Sequence, residues 1–159
     1  MTSKRWVFAT MSFALIMGAC QKPPEFTAAD EAIVKGMFDS TVVWFKARKF
    51  DEWSMEYAPT AFLQPPNGKT VTGRAGLVAW ASAFPPIEAM SFSNVEVSGE
   101  GNTAMGTSDF ILKLKDAPAD TGKQIIVARR GADGKWAIIG GGFNSNLPPV
   151  MMPATSVKK

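Results

Sequence analysis

The chain has 159 residues, 17 of them basic and 14 acidic, and a formal net charge of +3 at pH 7. Hydrophobic residues make up 46% and charged residues 19%, which fits one globular domain and excludes a largely disordered chain. The sequence has no histidine and a single cysteine, so it excludes histidine-based acid–base catalysis, Ser-His and Cys-His nucleophile pairs, histidine zinc sites and an intrachain disulfide.

Residues 1–19 have the pattern of an export signal. Lys4 and Arg5 precede the almost wholly apolar run Trp6–Met17, which is too short to span a membrane as a helix. Met17-Gly18-Ala19-Cys20 then resembles the bacterial lipobox, the cleavage site of lipoprotein signal peptidase, with Met where Leu is usual. The resemblance implies a lipidated Cys20 that anchors the mature chain through palmitate-type acyl chains. An ordinary secretory signal with an incidental cysteine, or an uncleaved N-terminal anchor, is the alternative.

The signal also predicts where the protein works. A lipoprotein signal places it in the bacterial cell envelope, anchored to a membrane and facing the periplasm, and Gln21 after the cysteine favours the outer membrane over the inner one. Cleavage removes Lys4 and Arg5, so the mature chain is close to neutral and is not expected to bind nucleic acid.

One domain is predicted over residues 27–146, after a tether at 20–26 and before a flexible tail at 147–159. A capping-box pattern at Thr27–Asp30 predicts a helix start, and apolar residues at helical spacing continue that helix to about Lys49. Two further helices are predicted at Asp51–Tyr57 and Arg74–Phe84, and a proline pair ends the latter.

The chain then changes to the twofold alternation of β-strands. Strands are predicted at Met90–Val97, Ala104–Leu114, Gln124–Arg130 and Lys135–Phe143, with a loop at Asp116–Lys123 and a brief extended run earlier, at Ala61–Gln64. Helices followed by a meander of strands are typical of an α+β domain whose helices pack on one face of an antiparallel sheet.

Three local patterns resemble one superfamily when they are taken in order: Asp51–Ala58, Thr72–Leu77 and Arg129–Trp136. They are similar to the nuclear-transport-factor-two-like superfamily, which includes ketosteroid isomerase, dehydratases and the SnoaL-like polyketide cyclases. The resemblance implies a cone-shaped α+β roll, in which three N-terminal helices pack in a strongly bent antiparallel β-sheet around a conical pocket. It also implies a possible homodimer through the sheet.

The resemblance does not extend to the catalytic residues of the superfamily's enzymes. It places the isomerase base at Gln64, whose amide cannot take up a proton at neutral pH. The single tyrosine, Tyr57, does not match the isomerase tyrosine, and the dehydratases and most of the cyclases call for histidine. Asp109 is the one acid left on a central strand, so a catalytic role of the known kinds is disfavoured, and no metal or other cofactor is expected.

Two sets of side chains could line the pocket. Asp109 and Arg129 lie on neighbouring predicted strands and form a buried polar pair at the pocket wall or else both face water on the convex side, depending on strand register. The aromatic residues either line an apolar pocket or simply form the core. The pocket candidates are Trp44, Tyr57, Gln64, Trp80, Phe84, Asp109, Arg129 and Asn144.

Three functions remain open from the sequence. The first is a lipid-anchored envelope lipoprotein with a non-catalytic domain that binds an apolar small molecule or another protein. The second is an isomerase-like or dehydratase-like enzyme that uses Asp109. The third is a structural accessory protein that pairs through its sheet face.

Overall fold

The computed structural model describes residues 24–148, so the predicted signal, Cys20 and most of the predicted tail lie outside the described residues. Three helices and two strands come first, and four longer strands follow. The helices are α1 Ala28–Ala47, α2 Phe50–Ser54 and α3 Gly73–Ser82, and the strands are β1 Tyr57–Gln64, β2 Val71–Thr72, β3 Ile87–Glu100, β4 Thr103–Leu114, β5 Ala119–Arg130 and β6 Trp136–Ser145. Within residues 24–148 no helix has the length and apolar character needed to cross a membrane.

Helix α1 begins with the predicted capping box, which is confirmed. The Thr27 hydroxyl accepts a hydrogen bond from the Asp30 backbone N–H at 3.3 Å, and the Asp30 carboxylate accepts one from the Thr27 N–H at 2.9 Å. These bonds satisfy two of the donors that a helix start leaves free. The helix ends at Arg48, whose left-handed backbone (φ 54°) stops the helical path.

The strands form one six-stranded sheet in the order β2-β1-β6-β5-β4-β3. The predicted meander from β3 to β6 is confirmed, because every pair within it is antiparallel. The sheet is nevertheless mixed, since β1 runs parallel to β6. The long connection between these two strands, which contains one helix and four strands, can return the chain in the same direction, whereas a short hairpin cannot.

Several predicted boundaries are wrong. The strands β1 and β3 extend beyond their predicted bounds, and α3 ends at Ser82 rather than Phe84. The second helix is Phe50–Ser54 rather than Asp51–Tyr57, and its N-cap, Lys49, makes no side-chain capping bond. Tyr57 instead opens β1, where its carbonyl accepts a hydrogen bond from Arg74 Nε at 2.8 Å. The loop predicted up to Lys123 is also too long: β5 starts at Ala119, because its polar first residues pair with the end of β4.

The two faces of the sheet carry different residues. On β4 the inner face presents buried Ala104, Gly106, Ser108 and Phe110, and the residues between them point outward. The buried core combines this inner face with the apolar side of α1 and the rings of the short helices. Its bulkiest fully buried side chains are Trp53, Phe38, Leu77, Ile126, Ile138 and Val34.

Candidate functional site

The interior of the cone is nearly filled by aromatic rings. A cavity of about 50 Å³ remains between the helices and the inner face of the sheet. The rings that border it are Phe45, Trp53, Tyr57, Trp80, Phe84, Phe92, Phe110 and Phe143. Drug-sized ligands occupy pockets of roughly 300–1,000 Å³, so this cavity accepts only a small group.

The rings pack edge to face, which holds the cavity in shape. Phe45 and Trp53 have centroids 4.9 Å apart, as do Trp53 and Tyr57, and Trp80 lies 4.8 Å from Phe84. Aromatic pairs favour such perpendicular contacts because the positive edge of one ring meets the negative face of the next. Trp53 therefore lies at the centre of the cluster.

The cavity offers no acid–base pair among the described residues. Its one titratable side chain is Tyr57, and burial, aided by the negative charge of Glu56, raises the pKa of that phenol. The Thr41 hydroxyl is already engaged, because it donates to the Met37 carbonyl at 2.8 Å. The Trp53 indole N–H at this wall is fully buried and has no hydrogen-bond partner in this part of the chain.

A second and more open groove of about 650 Å³ crosses the outer face of the sheet. Its polar walls include Gln64, Asn94, Glu96, Asp109, Lys123 and Asn144. Gly142 of β6 lies between Gln64 on β1 and Ile125 on β5, and it has no side chain to fill the space between them. The groove is therefore shallow in side chains at this point of the last strand.

An apolar row runs beside the groove on the same face. Register places Phe62 next to Gly140, Gly140 next to Val127, and Val127 next to Met105. The Phe62 ring lies over Gly140, where any side chain would collide with it. The outer apolar row consists of these side chains, Phe62, Val127 and Met105, together with Ile125 and Ile111. All of them except Val127 are 42–48% exposed.

Of the two arrangements that the sequence left open for Asp109 and Arg129, the structure has the one in which both side chains lie on the outer face of the sheet. Asp109 stands opposite Lys123 in the register, whereas Arg129 stands opposite Thr103 at the far end of the same strand pair. Both side chains are on the outer face, because a strand turns alternate residues to opposite sides. Half-buried Asp109 accepts a hydrogen bond from Asn94 Nδ2 at 2.7 Å, and Arg129 is exposed.

The other pocket candidates divide between the two faces. Tyr57, Trp80 and Phe84 border the interior cavity, as expected. Gln64 and Asn144 border the outer groove instead, so the interior placement expected for them is wrong.

Trp44 borders neither site. It lies in a shallow groove between α1 and α2, next to Glu56. The Lys49 ammonium is 5.7 Å from the centroid of the Trp44 ring. Burial raises the pKa of Glu56, and the Ser40 and Trp44 side chains oppose that change.

One polar network was missed by the sequence reasoning. The Asp30 carboxylate, beyond its part in the capping box, accepts hydrogen bonds from Arg130 Nη1 and from Trp136 Nε1, both at 2.9 Å. These bonds, with those from Thr27, lower the pKa of Asp30 to about 2. An acid at the third helix position and an Arg close before a Trp are too common for the pattern to have signalled this contact.

Two expectations concern bound groups. Cys20 lies outside the described residues, so its lipidation stays a prediction. Residues 24–148 contain no cluster of three or more Cys, Asp or Glu side chains suited to hold a metal ion.

The comparisons with known proteins agree with this geometry at the level of fold. No protein-family model and no curated protein matches the sequence. Solved structures do match: an NTF2-like protein of unknown function from Pseudomonas putida KT2440 is 13% identical with a TM-score of 0.68, covering 84% of this chain and 98% of that one. A ketosteroid isomerase-like protein from Erwinia carotovora atroseptica SCRI1043 is 14% identical with a TM-score of 0.64, covering 77% of this chain and all of that one.

A third match, ActVI-ORFA from Streptomyces coelicolor, is 18% identical with a TM-score of 0.60 and covers 72% of this chain and 96% of that one. Identities this low define a class by its fold alone. The chain therefore has the NTF2-like, ketosteroid isomerase-like fold, as the sequence resemblance implied.

Proposed function

We propose that this protein is a lipid-anchored envelope lipoprotein whose domain is non-catalytic and acts by pairing with a second copy through the outer face of its sheet. The observation that carries the proposal is the contrast between an interior almost closed by rings and an outer face that keeps an apolar row beside an open groove. Exposed apolar patches of this kind are typical of interaction surfaces.

The interior gives little support to an enzyme. An isomerase or dehydratase needs a base within reach of a bound substrate, and the cavity contributes only a neutral tyrosine with a raised pKa. Asp109 lies in the open outer groove and not beside the cavity. A large apolar ligand is also disfavoured, since the remaining space is about 50 Å³.

The outer face suits a twofold contact between identical chains. Such an interface must be self-complementary, because each residue of one copy meets a residue from the same patch on the other. The groove contains the acidic residues Glu96 and Asp109 and the basic residue Lys123, so two copies can pair opposite charges. The apolar row beside it can pack against the same row of the second copy. Pairing would also cover the exposed Phe62 ring.

The residues that lead from the proposed anchor into α1 contact the end of the sheet. Phe26 packs edge to face on Trp136 at 5.7 Å, and Arg130 Nη2 donates to the Glu25 carbonyl at 3.2 Å. Only a few residues separate this contact from Cys20. An acyl anchor on Cys20 would therefore hold the domain close to the membrane surface.

The oligomeric state of the mature chain in mild detergent tests the pairing. Wild type is expected to have a dimer mass in sedimentation, and Met105→Lys is expected to be a monomer because a charge is placed in the outer apolar row. Val43→Lys is the matched control, since Val43 is also an exposed apolar residue, 58% exposed against 43% for Met105, but lies on α1. A monomeric wild type, or a dimeric Met105→Lys, would contradict the proposal.

Metabolic labelling with a palmitate analogue tests the anchor. The wild-type chain is expected to take up label and to fractionate with membranes, and Cys20→Ala to do neither. Equal labelling of both chains would exclude a lipidated Cys20 and leave the pairing proposal unaffected.

A further inference from the structure

Side chains from five neighbouring strands line the outer groove in rows that run across the sheet. Strand register places one residue from each of β1, β6, β5, β4 and β3 in the first row: Gln64, Gly142, Ile125, Thr107 and Glu96. Four spacings of about 4.8 Å between strands give this row a length of about 19 Å. The groove therefore suits an elongated ligand better than a compact one.

A second row gives the groove a polar wall. It lies two residues away on each strand, where register sets Asn144 beside Lys123 and Lys123 beside Asp109. The Asn144 amide is already engaged, because its Oδ1 accepts from the Lys123 backbone N–H at 3.2 Å and its Nδ2 donates to Asn146 Oδ1 at 3.3 Å. Asn144 is thus a fixed part of the wall.

A β-bulge in the edge strand β3 turns two polar side chains towards the groove. The register against β4 shifts between Ser93 and Glu96, where β3 has one residue more than its partner. Without that extra residue, Val95 and not Glu96 would stand on the outer face, because strand residues alternate. Asn94 in the bulge has a left-handed backbone (φ 51°), and its Nδ2 donates to the Asp109 carboxylate at 2.7 Å. Bulges are over-represented next to active sites, where they re-aim side chains.

Three polar side chains of the groove have unused hydrogen-bonding capacity. The Gln64 amide, the Glu96 carboxylate and the Lys123 ammonium form no hydrogen bond or ion pair with other side chains of residues 24–148. A carboxylate only accepts, an ammonium only donates, and an amide does both. A ligand that satisfies all three needs groups that donate as well as accept, which is the property of hydroxyl groups.

Charge and the floor of the groove narrow the ligand further. An anion would meet the carboxylates of Glu96 and Asp109, and a cation would meet the Lys123 ammonium, so a neutral ligand is favoured. On the floor, Ile125 is 42% exposed beside Gly142, which offers apolar surface to C–H groups. An elongated, neutral molecule that combines many hydroxyl groups with apolar C–H faces is an oligosaccharide.

We propose that the outer groove is a binding site for a linear, neutral oligosaccharide, and that Gln64 and Glu96 bind hydroxyl groups at the two ends of the first row. The site goes beyond the pairing function and does not depend on it. A second copy on the same face would cover the groove, so the saccharide and the second copy are expected to compete.

Cellotetraose and chitotetraose are the saccharide probes. Hexaethylene glycol is the matched negative probe, because it is also elongated and neutral but its ether oxygens only accept hydrogen bonds. Dissociation constants are measured by calorimetry on the mature chain, in a detergent that has neither a sugar nor a polyether headgroup. Met105→Lys is titrated beside wild type, so that pairing does not hide the groove.

Three further variants are made in the Met105→Lys chain. Gln64→Ala and Glu96→Ala each remove a free polar group from one end of the first row. Glu100→Ala is the matched control, since Glu100 is another exposed carboxylate of β3 but lies outside the groove.

At least one saccharide is expected to bind the Met105→Lys chain, and hexaethylene glycol is expected not to bind. Gln64→Ala and Glu96→Ala are each expected to raise the saccharide dissociation constant roughly three- to tenfold, as for loss of one hydrogen bond, and Glu100→Ala to leave it unchanged. The proposal would be overturned if neither chain bound a saccharide, if hexaethylene glycol bound as tightly, or if Gln64→Ala and Glu96→Ala had no effect. The sedimentation mass of wild type reports on pairing separately.

Discussion

The two faces of the sheet differ in burial although the same strands form both. On β4 and β5 the inner residues, such as Phe110 and Ile126, are buried, whereas their neighbours Ile111 and Ile125 are exposed. Alternate residues of a strand point to opposite faces, so one segment serves two purposes. The burial of the inner face assigns it to stability, and the exposure of the outer face makes it available for the pairing proposed above, so we expect that each face can be changed with little effect on the other.

The largest expected effect separates two phenylalanines. Phe38→Ala is expected to lower the free energy of unfolding by about 3–5 kcal/mol, because that ring is 2% exposed and packs against Phe92 at 5.4 Å. Phe62→Ala, on the outer face, is expected to lower it by at most about 1.5 kcal/mol while weakening dimer formation. Urea unfolding measures the free energy of unfolding, and sedimentation measures dimer formation. Equal losses of stability in the two variants would contradict the assignment of stability to the inner face.

Overpacking of the inner face is the next largest effect. A Cβ on Gly106 would lie 2.9 Å from the Phe38 ring and 3.2 Å from the Ile126 side chain. Gly106→Ala is therefore expected to cost about 1–3 kcal/mol in urea unfolding. Combining it with Phe38→Leu, which frees space at the same point, should give a smaller loss than the sum, and strict additivity would argue against this contact.

The polar network at Asp30 is expected to stabilise the domain only above acid pH. Hydrogen bonds from Trp136 and Thr27 and the charge of Arg130 lower the Asp30 pKa from 3.8 to about 2, so the folded state favours the carboxylate. This stabilisation is complete above pH 3.8 and is lost as pH falls towards 2. Asp30→Asn should unfold at a lower temperature than wild type at pH 7, and the difference should shrink across that range. A difference that does not depend on pH would contradict the assignment.

The smallest expected effect lies outside both faces. Gly36 is an exposed helical residue of α1, and a Cβ there would meet no atom within 4 Å. Gly36→Ala is expected to raise the free energy of unfolding by about 0.5–1 kcal/mol, because alanine loses less backbone entropy in a helix. An unchanged dimer mass in the same variant would support pairing through the sheet and not through α1. A destabilised variant would contradict the open space found around Gly36.

Local features of the fold were predictable from the sequence, and long-range ones were not. The Thr27–Asp30 capping box involves neighbouring residues, and the end of the third helix depends on a proline pair beside it, so both followed from short patterns. The parallel pairing of β1 with β6 joins segments about 80 residues apart, and no short pattern contains it.

The candidate site shows the same division. Tyr57, Trp80 and Phe84 were correctly expected at the interior, because large rings are buried in almost any packing. Gln64 was expected there too, and it borders the outer groove, whereas the sequence left the face of Asp109 open and the structure places it outward. A shift of one residue in register decides the face of a side chain, and register depends on strands that are distant in the chain.

The amino-acid sequence by itself determined the α+β class, the helix starts and ends that short patterns encode, and the lack of histidine chemistry, since each of these depends on composition or on neighbouring residues. Only the tertiary structure decided that one strand pair is parallel, that Phe62 and Met105 share one outer row, and that the Trp53 N–H is buried without an acceptor among residues 24–148. The physical reason is that pairing, register and enclosure are properties of segments brought together by folding, and no single segment specifies them.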